Sequence, residues 1–193
     1  MERSYVQDIL DEGKEEKVLI KGWVHDTREL GKIRFLLLRD FSGIIQVVAV
    51  KKENEKIFDL MSQPRESVLE IEGKTKKSKQ APGGIEIVPE KIVVLAEAEQ
   101  PLPIDVSDFS KTALDKRLDW RSLSLRARKS RAIFKIQGKI LEGMQEWLNK
   151  NGYYQIFTPS LIGVPAESGS EVFEVKYFEK KAFLRQDPQL HRQ

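Results

Sequence analysis

Few side chains in this sequence are placed where they could do chemistry. Phe35 stands near the head of a short apolar run, where its ring could present a face to a nucleic-acid base. Gln46 is the only polar side chain between Ile44 and Val50, and its amide can both donate to and accept from a base edge. The competing assignment makes Phe35 a core ring and Gln46 a solvated surface amide. Lysines gather in Lys74-Thr-Lys-Lys-Ser-Lys79, and basic residues recur from Lys111 to Lys135. Such clusters suit a solvated face, and Lys74 to Lys79 suits phosphate contact as well. The absence of cysteine excludes disulfides and thiolate metal sites. His25 and His191 lie far apart, so no metal site is expected. No G-x-x-x-x-G-K-[ST] phosphate loop occurs.

Composition sets the frame for those residues. The chain has 193 residues, 40% hydrophobic and 33% charged, which is ordinary for a globular protein. With 33 basic against 30 acidic residues the net charge is +3, too small a surplus to announce a nucleic-acid binder by itself. No run approaches the roughly 18 apolar residues of a membrane span, and the charged N-terminus lacks the apolar core of a secretory signal. The expectation is a cytoplasmic protein with no membrane partner.

The elements that must position these residues can be read from periodicity. Apolar alternation predicts strands over Val18 to Val24, Phe35 to Leu38, Ile44 to Val50, Ser67 to Gly73 and Ile85 to Leu95. Asn54 reads as a helix N-cap, with Ile57, Phe58 and Met61 at helical spacing behind it. Five strands with a helix between the third and fourth is the order of an OB-fold β barrel; an SH3-like barrel or a split sandwich are the alternatives. Gln100-Pro-Leu-Pro103 breaks the pattern and opens a charged hinge with a short helix at Leu114 to Leu118. A long amphipathic helix follows from about Ser130 to Lys150, with Ile133, Ile136, Ile140, Met144 and Trp147 on one stripe. Tyr154 to Phe157 reads as a strand stopped by Thr158-Pro159. Val172 to Tyr177 and Ala182 to Leu184 read as a strand pair. The domains expected are 1–98, a hinge over 99–130, and the opening of a further domain over 131–193.

That order, and the residues after Pro159, resemble a known family. The long helix, Gly152 and the strand closed by Pro159 are similar to motif 1 of class II aminoacyl-tRNA synthetases. Glu167-Ser-Gly-Ser-Glu-Val-Phe173, Tyr177-Phe178 and Phe183-Leu-Arg-Gln-Asp-Pro-Gln-Leu190 resemble the aspartyl branch, written S-E-G-G-A-x-x-F, Y-F and Y-L-A-Q-S-P-Q-L-Y-K-Q. The asparaginyl branch usually lacks the proline between the two glutamines. The resemblance covers almost the whole chain. It implies an OB-fold β barrel for anticodon binding, joined to the N-terminal part of an α+β class II synthetase catalytic domain built on an antiparallel sheet.

What the resemblance implies for residues follows position by position. Phe35 and Gln46 match residues that engage the central anticodon base, and Arg28 matches a basic residue that meets the anticodon backbone or bases. Glu167 matches a loop glutamate that binds the ammonium group of aspartate, Gln189 a second amino-acid contact, and Arg192 the cation that pairs with the side-chain carboxylate. Phe157 and Pro159 fall on the family's dimer surface. Ser168, Asp187, His191 and Arg192 depart from the family's pattern, which puts an intact aspartate pocket in question. The implied partners are tRNA for aspartate or asparagine, aspartate itself and a second copy in the full-length form. ATP and Mg²⁺ are implied for the full-length enzyme, with their main motifs lying beyond Gln193. The sequence therefore reads as a fragment or truncated product that would not itself activate an amino acid, so no catalytic residue is assigned. A truncated tRNA-binding relative and an asparagine–tRNA ligase are the alternative readings.

Overall fold

The computed structural model describes residues 2–107, 111–164, 172–186 and Pro188. It divides into two compact units, Met1–Pro103 and Ile104–Gln193.

The first unit carries helix α1 (Val6–Glu12) and strands β1 (Lys17–Leu30), β2 (Ile33–Arg39) and β3 (Ile44–Val50). Helix α2 (Glu55–Leu60) and strands β4 (Val68–Lys77) and β5 (Ile85–Ala96) complete it. The strands close into a barrel in the order β1-β2-β3-β5-β4. Every pairing is antiparallel except β3 with β5, which is parallel and narrow, joining only Gln46 to Glu86 and Val47 to Ile87. Strict alternation fills the interior. Val18, Ile20 and Val24 point in from β1, Leu36 and Leu38 from β2, Ile45 and Val47 from β3, Leu69 and Ile71 from β4, and Ile87 from β5. Burial of these side chains is the main stabilising contribution. This is the OB-fold, with α2 between the third and fourth strands as its position in the sequence predicts.

Local chemistry explains several details. Asn54 Oδ1 accepts a hydrogen bond from the Ile57 amide at 3.0 Å, so the sequence-predicted N-cap is formed. At Gly22 an added Cβ would sit 2.4 Å from the Arg39 carbonyl oxygen, and at Gly73 it would sit 2.4 Å from that of Val88. Only glycine allows those strands to approach so closely. Helix α1 was not foreseen from the sequence. Its N-terminus has no local side-chain cap, but Asp40 Oδ2 accepts from the Val6 amide at 3.0 Å and Ser42 Oγ from the Gln7 amide at 3.0 Å. The β2–β3 turn thus caps a helix more than thirty residues upstream, and Val6 and Ile9 are drawn into the core.

Strands run longer than the sequence suggests. Lys74 to Lys77, beyond the expected end of the fourth strand at Gly73, lie within β4, paired with Val88 to Ile85 of β5. Outward-facing lysines and glutamates of β1, β4 and β5 form ion pairs: Lys17–Glu90 at 2.8 Å, Lys21–Glu70 at 2.6 Å, Lys91–Glu72 at 3.5 Å and Lys74–Glu90 at 3.6 Å. Hydrogen bonding to Lys17 holds the Glu90 carboxyl below its ordinary range.

The second unit begins with short helices α3 (Leu114–Asp119) and α4 (Arg121–Ser124), followed by the 23-residue α5 (Arg128–Lys150). Gly152 turns the chain after α5 with φ 83°, a conformation natural to glycine. Strands β6 (Leu161–Ile162), β7 (Glu174–Tyr177) and β8 (Lys180–Leu184) form an antiparallel sheet in the order β6-β8-β7. The expected strand at Tyr154 to Phe157 joins no ladder among the described residues. An extended segment becomes a strand only when a neighbour accepts its backbone hydrogen bonds, and Tyr154 and Phe157 are each 90% exposed. The apolar stripe of α5 is likewise open: Ile133, Ile136, Ile140, Met144 and Trp147 are all exposed.

Candidate nucleic-acid interface

Alternation that sends Leu36, Leu38, Ile45 and Val47 inward must send their neighbours outward. Phe35 and Leu37 of β2 and Gln46 of β3 therefore lie on the outer surface, each partly buried. Register sets them side by side. Arg28 of β1 is the cross-strand partner of Phe35, Leu37 is the partner of Gln46, and Gln46 is the partner of Glu86 on β5. The assignment of Phe35 to the core does not hold.

All of these except Glu86 line one groove of about 380 Å³. Arg28, Phe35 and Gln46 share it with Asp26, Thr27, Leu30 and Leu37. The β4–β5 connection adds Gln80 and Pro82. The three side chains singled out in the sequence are thus brought together by strand register. Phe35 and Leu37 offer an apolar floor, Gln46 an amide and Arg28 an exposed cation. Such a set can stack an unpaired base, meet its edge and neutralise a phosphate. Gln46 Nε2 donates to Glu86 Oε2 at 3.1 Å. Neither Glu86 nor Gln80 was selected from the sequence. Glu86 is one of many glutamates in alternating strands, and only the parallel β3–β5 register brings it to Gln46.

Next to Asp26, which lines the groove, a β-bulge between Val24 and Asp26 redirects β1. It places His25 Nδ1 3.1 Å from Arg39 Nη1. Arginine can only donate, so Nδ1 accepts and the imidazole proton sits on Nε2. Arg39 Nη2 donates to both carboxylate oxygens of Glu66, at 2.7 and 2.8 Å, and both side chains are 2% exposed. Burial, then the charges of Arg39 and Arg65, lower the His25 pKa below its ordinary 6.5, against opposing contributions from Glu66 and Asp26.

The remaining residues from the sequence reading fall elsewhere. Glu167, Gln189 and Arg192, assigned to aspartate, lie outside the described residues, as do Ser168, Asp187 and His191. Phe157 and Pro159 are exposed. Among the described residues no cluster of three or more His, Cys, Asp or Glu side chains could hold a metal ion. No helix among the described residues is long and apolar enough to cross a membrane.

Two family models divide the chain along the same line as its architecture. Residues 18–95 match the OB-fold nucleic acid binding domain, and residues 113–193 match the tRNA synthetases class II (D, K and N). The chain belongs to the class II aminoacyl-tRNA synthetases of that D, K and N group. Among curated proteins it is 41% identical over 193 residues to the aspartate–tRNA(Asp/Asn) ligase of Archaeoglobus fulgidus, covering 99% of this chain and 45% of that protein. It is 42% identical over 191 residues to the aspartate–tRNA(Asp) ligase of Thermococcus kodakarensis, covering 98% and 44%. Among solved structures, asparaginyl-tRNA synthetase from Pyrococcus horikoshii complexed with asparaginyl-adenylate is similar with a TM-score of 0.88 and 34% identity, over 99% of this chain and 44% of that one. The chain thus spans less than half the length of the relatives it matches.

Proposed function

We propose that the barrel reads a tRNA anticodon through Arg28, Phe35 and Gln46, within an aspartate–tRNA ligase that joins aspartate to tRNA at the expense of ATP. The observation that carries this reading is the convergence of the three residues in one outward groove of the OB barrel. Phe35 stacks the central base, Gln46 meets its edge, and Arg28 pairs with a neighbouring phosphate or base. The names of the curated relatives support aspartate as the amino acid, and the tRNA for either aspartate or asparagine as acceptor. In the second unit Glu167, Gln189 and Arg192 bind aspartate through its ammonium and carboxylate groups. When ATP and Mg²⁺ are bound, they supply the activation of the amino acid. Phe157, Pro159 and the open stripe of α5 face a second copy in the full-length protein, which works in the cytoplasm.

The test is binding of the 193-residue chain, at fixed salt, to aspartate tRNA transcripts with the natural and a changed central anticodon base. We expect weaker binding to the changed transcript, and loss of that preference in Phe35→Ala. Equal, salt-sensitive binding of both transcripts by the unaltered chain would leave only a generic basic surface and remove the three assignments.

A second reading, asparagine in place of aspartate, draws on the likeness to the Pyrococcus horikoshii asparaginyl enzyme. Activation of asparagine but not aspartate by the full-length protein would decide for it.

A further inference from the structure

Arg117, on α3, is half-buried and forms no ion pair among the described residues. Its guanidinium is fastened instead by two neutral hydroxyls: Nε donates to Ser124 Oγ at 3.3 Å and Nη2 to Ser130 Oγ at 2.7 Å. Those contacts occupy one edge of the fork. Nη1 and the second hydrogen of Nη2 carry no partner among the described residues. Ser124 ends α4 and Ser130 lies in the first turn of α5, and they are only 8% and 6% exposed. Each hydroxyl accepts from Arg117 and donates to no acceptor among the described residues, so two buried O–H groups are also unspent. These donors surround a pocket of about 50 Å³, which Lys129 and Asp105 also line. That volume takes a few waters or one small tetrahedral anion and excludes a nucleobase.

From this geometry we propose that the junction of α3, α4 and α5 is an oxyanion site that takes a phosphate group. The site is independent of the groove on the barrel, since every residue in it belongs to the second unit. A half-buried cation without a counter-ion is unfavourable, and a bound anion relieves it. The free edge of Arg117 meets two phosphate oxygens side by side, and the serine hydroxyls donate to the others. The start of α5 lines the same pocket. Its N-cap, Ala127, has no side-chain oxygen to offer, so the positive end of a 23-residue helix adds to the attraction. Asp105 opposes it, although its carboxylate oxygens accept from the Ser107 amide at 2.8 Å and the Ser107 hydroxyl at 2.6 Å. Two positive charges, Arg117 and Lys129, against the one negative charge of Asp105 leave the lining net positive by one. That balance matches a singly charged phosphate group, either a free phosphate or a phosphodiester of an RNA backbone.

The test is calorimetric titration of the 193-residue chain with inorganic phosphate, with chloride holding the ionic strength constant. Saturable binding at one site is expected. Arg117→Gln should weaken it about tenfold, and Ser130→Ala by less, since that change removes one donor but leaves the cation. Circular dichroism of each variant should match the unaltered chain. Should Arg117→Gln fail to fold, Ser130→Ala decides alone: a loss of affinity supports the site and an unchanged affinity overturns it. No saturable binding by the unaltered chain, or equal binding by a folded Arg117→Gln, also overturns it. A second arm adds aspartate tRNA transcript before the phosphate. Loss of the phosphate titration then assigns the site to an RNA backbone phosphate, and an unchanged titration assigns it to the free anion.

Discussion

His25 couples the barrel's stability to acidity through a single ring. Burial and the charges of Arg39 and Arg65 make the folded chain a poorer proton acceptor at this position than the unfolded chain. Below pH 6.5 the unfolded state gains a proton that the native state resists, so stability falls with pH from there down to the folded pKa. The denaturant midpoint should therefore drop between pH 7.5 and 5.5. His25→Gln, whose amide oxygen can still accept from Arg39, should flatten that part of the profile. An equal drop in the variant would assign the effect to other groups. The same ring shows why sequence alone falls short at this scale. His25 is visible as a lone histidine, but its acceptor role depends on the bulge before Asp26 and on the Arg39–Glu66 pair behind it. Phe35 and Gln46 were singled out by the resemblance, because in the apolar run Phe35-Leu-Leu-Leu38 the sequence alone does not say which face is outward. Glu86 was not, since parallel register between distant strands leaves no local trace.

At the scale of elements, the capping of α1 by the β2–β3 turn ties the first residues of the chain to the barrel. Asp40 is 1% exposed and accepts from the amides of Val6, Ser42 and Gly43 and from the Ser42 hydroxyl. Asp40→Ala would leave the Val6 amide without its partner and open the turn, costing about 1–3 kcal/mol. Chemical denaturation should register that loss, and limited proteolysis should cut the N-terminal segment earlier than in the unaltered chain. Unchanged protection of that segment would show that apolar packing of Val6 and Ile9 holds α1 alone. The sequence hid this helix because its cap lies 34 residues away and its length is only seven. By contrast, β3 was readable to the residue, a β-branched run broken only by Gln46 and Ala49. Tyr154 to Phe157 had strand composition too, and composition could not supply the paired neighbour it lacks among the described residues.

For the whole molecule, the open apolar surface of the second unit matters most. Met144 is 58% exposed, Trp147 62% and Phe157 90%. Apolar area of that kind, grouped on one helix stripe, drives association in water. Sedimentation of the 193-residue chain should show concentration-dependent self-association, reduced by Ile140→Lys or Trp147→Lys. A strictly monomeric species at high concentration would refute it. The barrel shows the opposite arrangement on the outer side of β1, β4 and β5, where lysine and glutamate are interleaved and paired. Fields from closely alternating charges cancel within a few ångströms, and salt screens what remains beyond a Debye length of about 8 Å. To an RNA diffusing past, that side of the barrel is electrically quiet. For the tRNA binding proposed above, long-range attraction must then come from cations outside this lattice, such as Arg28, so that where charge is left uncompensated matters more than how much charge the barrel carries.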